Sequence, residues 1–250
     1  MEKLLIIPDV HGRTFWRKAL TTGDYERIVF LGDYVDPYSR EGIDTPTAID
    51  ILQEILQLKE QRKEQVVLLL GNHDLHYMYG DFYDLAAGSR YDHRHAPILK
   101  LLFREHRALF DMAYETTIKS RRYLFTHAGV NSLWLQRNIG VIGQADAPHL
   151  NLLTDTTEGI QALAQVGRMR GGYDESGSMV WADVDEMIHD SRQEGPSAGD
   201  CPSGEPCCYQ IIGHSQHANP LVGEHFACLD CRRAFALDDE GRLTDVTNGQ

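Results

Sequence analysis

Asp33 and Asp36 stand three positions apart, just past the apolar run Ile28-Val29-Phe30-Leu31 and the breaking residue Gly32. A carboxylate at the end of a buried strand is costly unless it is paired or holds a cation. The same arrangement recurs along the chain. Asp9-x-His11 follows an apolar stretch at 3–7, Gly71-Asn72-His73-Asp74 follows 66–70, His127-Ala128-Gly129 follows 123–126, and Gly213-His214-Ser215 follows 209–212. Any one of these clusters is a weak signal. Five in succession, each behind an apolar strand, point to a metal centre with Asp33 in the middle. Mixed carboxylate, imidazole and amide donors suit Mn²⁺, Fe or Zn²⁺ better than Ca²⁺.

The elements that must carry these residues can be read from periodicity. Strands are expected at 3–7, 28–31 and 66–70, with helices at about 14–20 and from Thr45-Pro46 to the charged segment 59–64. A hydroxyl N-cap at Thr45 and Pro at the first helical position make the second helix start well defined. This is a βαβαβ pattern, hence a mostly parallel sheet whose functional groups gather at the carboxyl ends of its strands. An aromatic-rich helical segment follows, then a helix at 97–109, a strand pair at 114–118 and 123–126, short helices over 131–164, and an extended piece at 178–181. The span 190–207, rich in Gly, Pro, Ser and acids, reads as a mobile loop. Short strands at 209–212, 222–229, 234–237 and 243–246 suggest a second, largely antiparallel sheet in the same domain, 1–250.

With 250 residues the chain can bury a large core, and its formal net charge is −13. That charge argues against a long non-specific nucleic-acid footprint. It leaves room for a phosphorylated substrate, because bound cations supply positive charge that the sum omits. The first apolar run, ended by Pro8, is too short for a signal-peptide core or a membrane span, so the expected compartment is the cytoplasm, with no membrane association. The five cysteines fall late, at 201, 207, 208, 228 and 231. In a reducing compartment they read as free thiols or metal ligands rather than disulfides.

Taken in order, the clusters resemble the calcineurin-like metallophosphoesterases. Gly32-Asp33-Tyr34-Val35-Asp36 and Gly71-Asn72-His73-Asp74 nearly reproduce the signatures of the phosphoprotein-phosphatase branch, and Val180-Trp181-Ala182-Asp183 and Cys228-Leu229-Asp230 echo it. The resemblance implies an α/β (α+β) fold of two mixed β-sheets packed as a sandwich and flanked by helices. It implies two divalent ions, Mn by preference and Fe or Zn as alternatives. Asp9 and His11 would hold one, Asn72, His127 and His214 the other, and Asp33 would bridge them. A metal-bridging hydroxide would attack phosphorus, with His73 as general acid and Asp36 orienting its ring.

Departures bear on the substrate. The branch places Arg after the second Asp and before Gly-Asn-His, whereas this chain has Pro37 and Leu70. Arg13, Arg40 or Arg170 could replace those phosphate contacts. His214-x-x-His217 differs from the wider superfamily's Gly-His-x-His, which makes His217 a doubtful ligand. Cys228 matches a core strand of the family, against the competing reading of a structural zinc. The expected activity is hydrolysis of phosphomonoesters, on a small molecule or a phosphoprotein. The alternatives are a dinucleoside polyphosphate or phosphodiester hydrolase on the same metal core, and a non-catalytic scaffold. The oligomeric state has no signature in the sequence.

Overall fold

The computed structural model describes residues 3–80, 90–191 and 208–248. The chain divides into two compact units, Met1–Asp111 with Arg232–Gln250, and Met112–Cys231. Each is built on one mixed β-sheet with flanking helices, so the fold is α/β.

In the first unit, β1 (Leu4–Ile7), β2 (Arg27–Phe30) and β3 (Val66–Leu69) lie parallel and adjacent. The connections between them carry α1 (Phe15–Ala19) and α2 (Thr45–Arg62), as the sequence pattern requires. Continuous apolar runs are what a parallel sheet needs, and every residue of β1 and β3 is buried. The start of α2 differs from expectation in one respect. Asp44 is its N-cap and accepts from the Thr47 N–H at 2.9 Å, which frees the Thr45 hydroxyl to donate to Asp92 at 2.6 Å. The chain continues through α3 (Asn72–Tyr79) and α4 (Ala96–Glu105) to β4 (Phe110–Asp111), which pairs parallel to β3.

The second unit opens with the antiparallel hairpin of β5 (Ala113–Ile118) and β6 (Arg121–Thr126). Four short helices follow: α5 (Ser132–Arg137), α6 (Ile139–Ile142), α7 (Ala147–Asn151) and α8 (Thr157–Leu163). Residues 178–181, expected to be extended, instead form a turn in which the N–H groups of Trp181 and Ala182 both donate to the Ser178 carbonyl at 2.8 Å. α9 (Val184–Ser191) then runs into the expected loop, so 190 and 191 are helical, and 192–207 lie outside the described residues. Val184 and Met187 of this helix share a core with Ala128, Ile212, Phe226 and Cys228.

The late strands divide differently from expectation. β7 (Tyr209–Ile212), β8 (Leu221–Val222) and β9 (Phe226–Cys228) complete the second sheet, with β7 parallel to both β6 and β9. The run 222–229 is thus two strands, broken by a turn in which Gly223 N–H donates to Phe226 O at 2.8 Å. β10 (Phe235–Leu237) and β11 (Leu243–Asp245) leave that sheet and join the first, where β10 lies antiparallel to β1 with Leu4 opposite Leu237. The physical reason is that β1 has a partner on one side only until β10 arrives. The second sheet is therefore mixed rather than largely antiparallel. Among the described residues, no helix is long and apolar enough to cross a membrane.

β2 and β3 end against each other through glycine. Gly32 has φ +104°, and a Cβ there would lie 2.4 Å from the Gly71 backbone nitrogen. Both the conformation and the space demand glycine. Gly32→Ala should destabilise the protein by about 3 kcal/mol, read from urea unfolding at an unchanged m-value.

Candidate metal centre

The loops after β1, β2 and β3 are tied together by main-chain groups before any side chain reaches out. Val10 and His11 N–H donate to the Asp33 carbonyl at 3.1 and 2.7 Å, and Gly12 N–H donates to Tyr34 O at 3.0 Å. From the third loop, the Asp74 carboxylate accepts from Asp33 N–H at 2.7 Å, Gly71 N–H at 2.8 Å and Tyr34 N–H at 3.0 Å. Burial, and next the charge of Asp33, raise its pKa well above the carboxylate value against the pull of these three donors.

This lacing sets the side chains. Asp33 Oδ1 accepts from the His73 backbone N–H at 3.0 Å, while Oδ2 lies 3.5 Å from His11 Nε2. His11 Nδ1 is 2.7 Å from the Val35 carbonyl, so Nδ1 carries the proton and Nε2 presents its lone pair. Burial lowers the His11 pKa well below its usual value, opposed by Asp33 and assisted by His73 and Arg90, which keeps the ring neutral. Ligand atoms of His11, Asp33 and His73 all lie within 4.8 Å of one another. Asp9, two residues ahead of His11, is buried but stays outside that group, and Asn72 is buried as the first residue of α3. His73 Nδ1 sits 2.8 Å from Asp36 Oδ2. His11, Asp33 and Asp36 have φ of 45°, 52° and 55°. Non-glycine residues in this region are costly, and such strain concentrates at functional sites.

The second unit contributes a pair of histidines. His127 follows β6 and His214 follows β7, and Gly213 N–H donates to His127 O at 2.7 Å. His127 Nε2 and His214 Nδ1 are 3.2 Å apart, and the Trp181 and His214 rings form a T-shaped pair with centroids 5.9 Å apart. His214 is also strained, with φ 66°. Cys228 braces this turn, its thiol donating to the Gly213 and Ser215 carbonyls at 3.2 and 3.3 Å. Cys208, Cys228 and Cys231 are buried, and Cys201 and Cys207 lie outside the described residues. The backbone N–H of His217 donates to Asp230 O, in the turn past β9, at 2.9 Å.

The candidate phosphate-binding arginines separate into two groups. Arg170 pairs with Asp183 at 2.8 Å and donates to the Ser215 hydroxyl, so it is engaged within the second unit. Arg13 and Arg40 both lie 5.3 Å from the centre of the Tyr38 ring. Arg13 is buried and salt-bridged to Glu41 at 2.7 Å, which holds the Glu41 carboxyl below its usual value. Arg90, which sequence reasoning missed, stacks on the same ring at 3.7 Å. Its Nε donates to Asp36 O at 3.0 Å, and its Nη2 lies 3.3 Å from His11 Nε2. It belongs to no motif; the lone hint in the sequence was the missing arginine at Pro37.

A family model for calcineurin-like phosphoesterases matches residues 2–184. The chain belongs to the calcineurin-like phosphoesterases. The expected resemblance is thereby shown, and with it a metal-dependent phosphoesterase. Among solved structures, a cold-active protein tyrosine phosphatase is similar at TM-score 0.53 and 15% identity, over 98% of this chain and 79% of that one. At that identity the likeness shows the fold. A Saccharomyces cerevisiae protein serine/threonine phosphatase, with similarity to human PP5, aligns at TM-score 0.47 and 15% identity over 94% of this chain and 72% of that one. A hypothetical protein from Pyrococcus horikoshii aligns at TM-score 0.47 and 10% identity over 98% and 87%. Among curated proteins no sequence matches.

The residues of this calcineurin-like phosphoesterase fit the divalent ions its family implies. A neutral imidazole presenting its Nε2 lone pair beside a buried carboxylate is an N/O donor set for a borderline ion, held on a strained and therefore over-determined backbone. That backbone depends on Asp74. In Asp74→Asn, an amide group must face at least one of the three N–H donors. The expected cost is about 1–3 kcal/mol in denaturant unfolding.

Proposed function

We propose that this calcineurin-like phosphoesterase is a two-metal phosphatase acting on phosphomonoesters, with phosphoproteins among its possible substrates. The ligands in the first unit are Asp9, His11, Asp33 and Asn72; those in the second are His127 and His214. One family model runs without interruption from the first unit into the second, which supports reading the chain as one phosphoesterase domain. Divalent ions on these donors would supply Lewis acidity to the phosphoryl group and lower the pKa of a water toward neutrality.

The observation that carries the reading is the His73–Asp36 pair, 2.8 Å apart beside the His11–Asp33 group. Asp36 holds Nδ1–H, so Nε2–H is left to protonate the leaving oxygen. The same pairing favours this role for His73 over that of a further metal ligand. Arg40 and Arg90 beside Tyr38 supply positive charge suited to a dianionic monoester, whereas the charge of Arg13 is paired with Glu41. Of these, Arg90 reaches furthest toward the site, and it takes the part that Pro37 cannot.

With Mn²⁺, p-nitrophenyl phosphate should be turned over and its bis ester should not; a dinucleoside tetraphosphate and a phosphopeptide complete the panel. Preference for the tetraphosphate would replace the monoesterase reading, and no turnover of any substrate would make the chain a scaffold. With phenyl phosphate, whose leaving group needs a proton, His73→Ala should cut kcat by ~10²–10⁴ while bound metal, measured by elemental analysis, stays unchanged. Loss of metal in that variant would make His73 a ligand instead. Arg90→Ala should raise KM and the inhibition constant for inorganic phosphate by about tenfold, with kcat less affected, as loss of a charge-assisted contact predicts.

A further inference from the structure

Asp36 has two carboxylate oxygens, and only one of them meets His73. The other, Oδ1, accepts a 2.5 Å hydrogen bond from the hydroxyl of Tyr77. Tyr77 lies one turn along α3 from His73 and is fully buried. Its ring is clamped, stacking on Tyr91 at 4.7 Å and 16° and lying nearly parallel to Phe103 at 6.4 Å and 5°. The hydroxyl proton has a defined direction, because the Tyr77 oxygen already accepts from the Asp92 backbone N–H at 2.9 Å. That N–H is itself fixed. The Asp92 carboxylate accepts from Thr45 at the start of α2, from His95 Nδ1 at 2.8 Å and from Arg94 N–H at 2.9 Å. Burial and the neighbouring Asp36 push the Tyr77 phenol up, so it remains a donor across the working pH range.

We propose that Tyr77 is a positioning residue for the reaction: its hydroxyl occupies one oxygen of Asp36, leaving the other to hold Nδ1–H of His73 and aim Nε2 at the leaving group. The inference rests on the reading of His73 as proton donor. Without the hydroxyl, Asp36 has a bare, buried oxygen and is free to rotate about χ2. The His73–Asp36 contact then has two carboxylate orientations to choose from instead of one. Nothing in the metal ligand set changes.

The test is Tyr77→Phe, which removes one oxygen and keeps the stacked ring. A positioning role acts through general acid catalysis, so the loss must depend on how much the leaving group needs a proton. With phenyl phosphate, kcat should fall by about tenfold; with p-nitrophenyl phosphate it should fall by about twofold or less, KM and metal content being unchanged in both. In a His73→Asn background, Tyr77→Phe should cost nothing further, since the group it positions is gone. Independently of turnover, the Zn²⁺-loaded protein should show a downfield imidazole N–H resonance, absent in His73→Asn, that shifts or broadens in Tyr77→Phe.

Equal losses on the two esters, a further loss on the His73→Asn background, or an unchanged resonance would each overturn the assignment. Should the unmodified protein hydrolyse neither ester, the phosphatase reading fails by itself, and the resonance alone decides whether Tyr77 orders Asp36 and His73.

Discussion

The first unit depends on one buried carboxylate. Asp74 accepts from the N–H groups of Gly71, Asp33 and Tyr34 and so fastens the end of β3 to the end of β2. Those groups would otherwise be buried donors without partners, each costing about 1–3 kcal/mol. Because Asp33 is fixed at its backbone, its two side-chain oxygens are fixed as well. One takes the His73 N–H, the other faces His11. The aspartate and histidine that could do chemistry are therefore positioned by an aspartate that does none.

The same principle explains why glycine stands at both strand ends. A Cβ on Gly71 would lie 2.1 Å from Asp33 Oδ1, and one on Gly32 would meet the Gly71 nitrogen. Two backbones must approach without side chains between them for the Asp74 carboxylate to span both. His11, Asp33 and Asp36, in the loops beside these glycines, adopt left-handed conformations. Local strain is tolerated there because the surrounding hydrogen bonds over-determine it. In the second unit, the Cys228 thiol has a comparable duty toward the turn that carries His214.

Much of this was legible in the sequence, for identifiable reasons. β1, β2 and β3 are continuous apolar runs with polar clusters behind them, and parallel pairing of such strands leaves few arrangements. The family could be recognised because Gly-Asp-x-x-Asp and Gly-Asn-His-Asp are set by backbone geometry as well as by chemistry. What was illegible is long-range or lacks a pattern. The strands at 235–237 and 243–245 are too short to say which sheet they join, since their partner lies at the other end of the chain. The turn at 178–181 is apolar in composition, so burial imitated a strand. Arg90 and Tyr77 could not be assigned because their roles come from a ring stacked under one and a carboxylate facing the other. Neither Tyr38 nor Asp36 signals such a partner in sequence.

The return of β10 to β1 has a consequence for how the molecule is made. During synthesis β1 precedes the strand that covers its outer edge by the whole of Met112–Cys231. The second sheet has all its strands within that intervening stretch and can form without waiting. The first sheet meanwhile carries an open, wholly apolar strand edge, the kind that pairs with other chains. For this protein the vulnerable interval lasts until β10 and β11 have been made, because until then the unit bearing Asp33 and His73 lacks its closing hairpin.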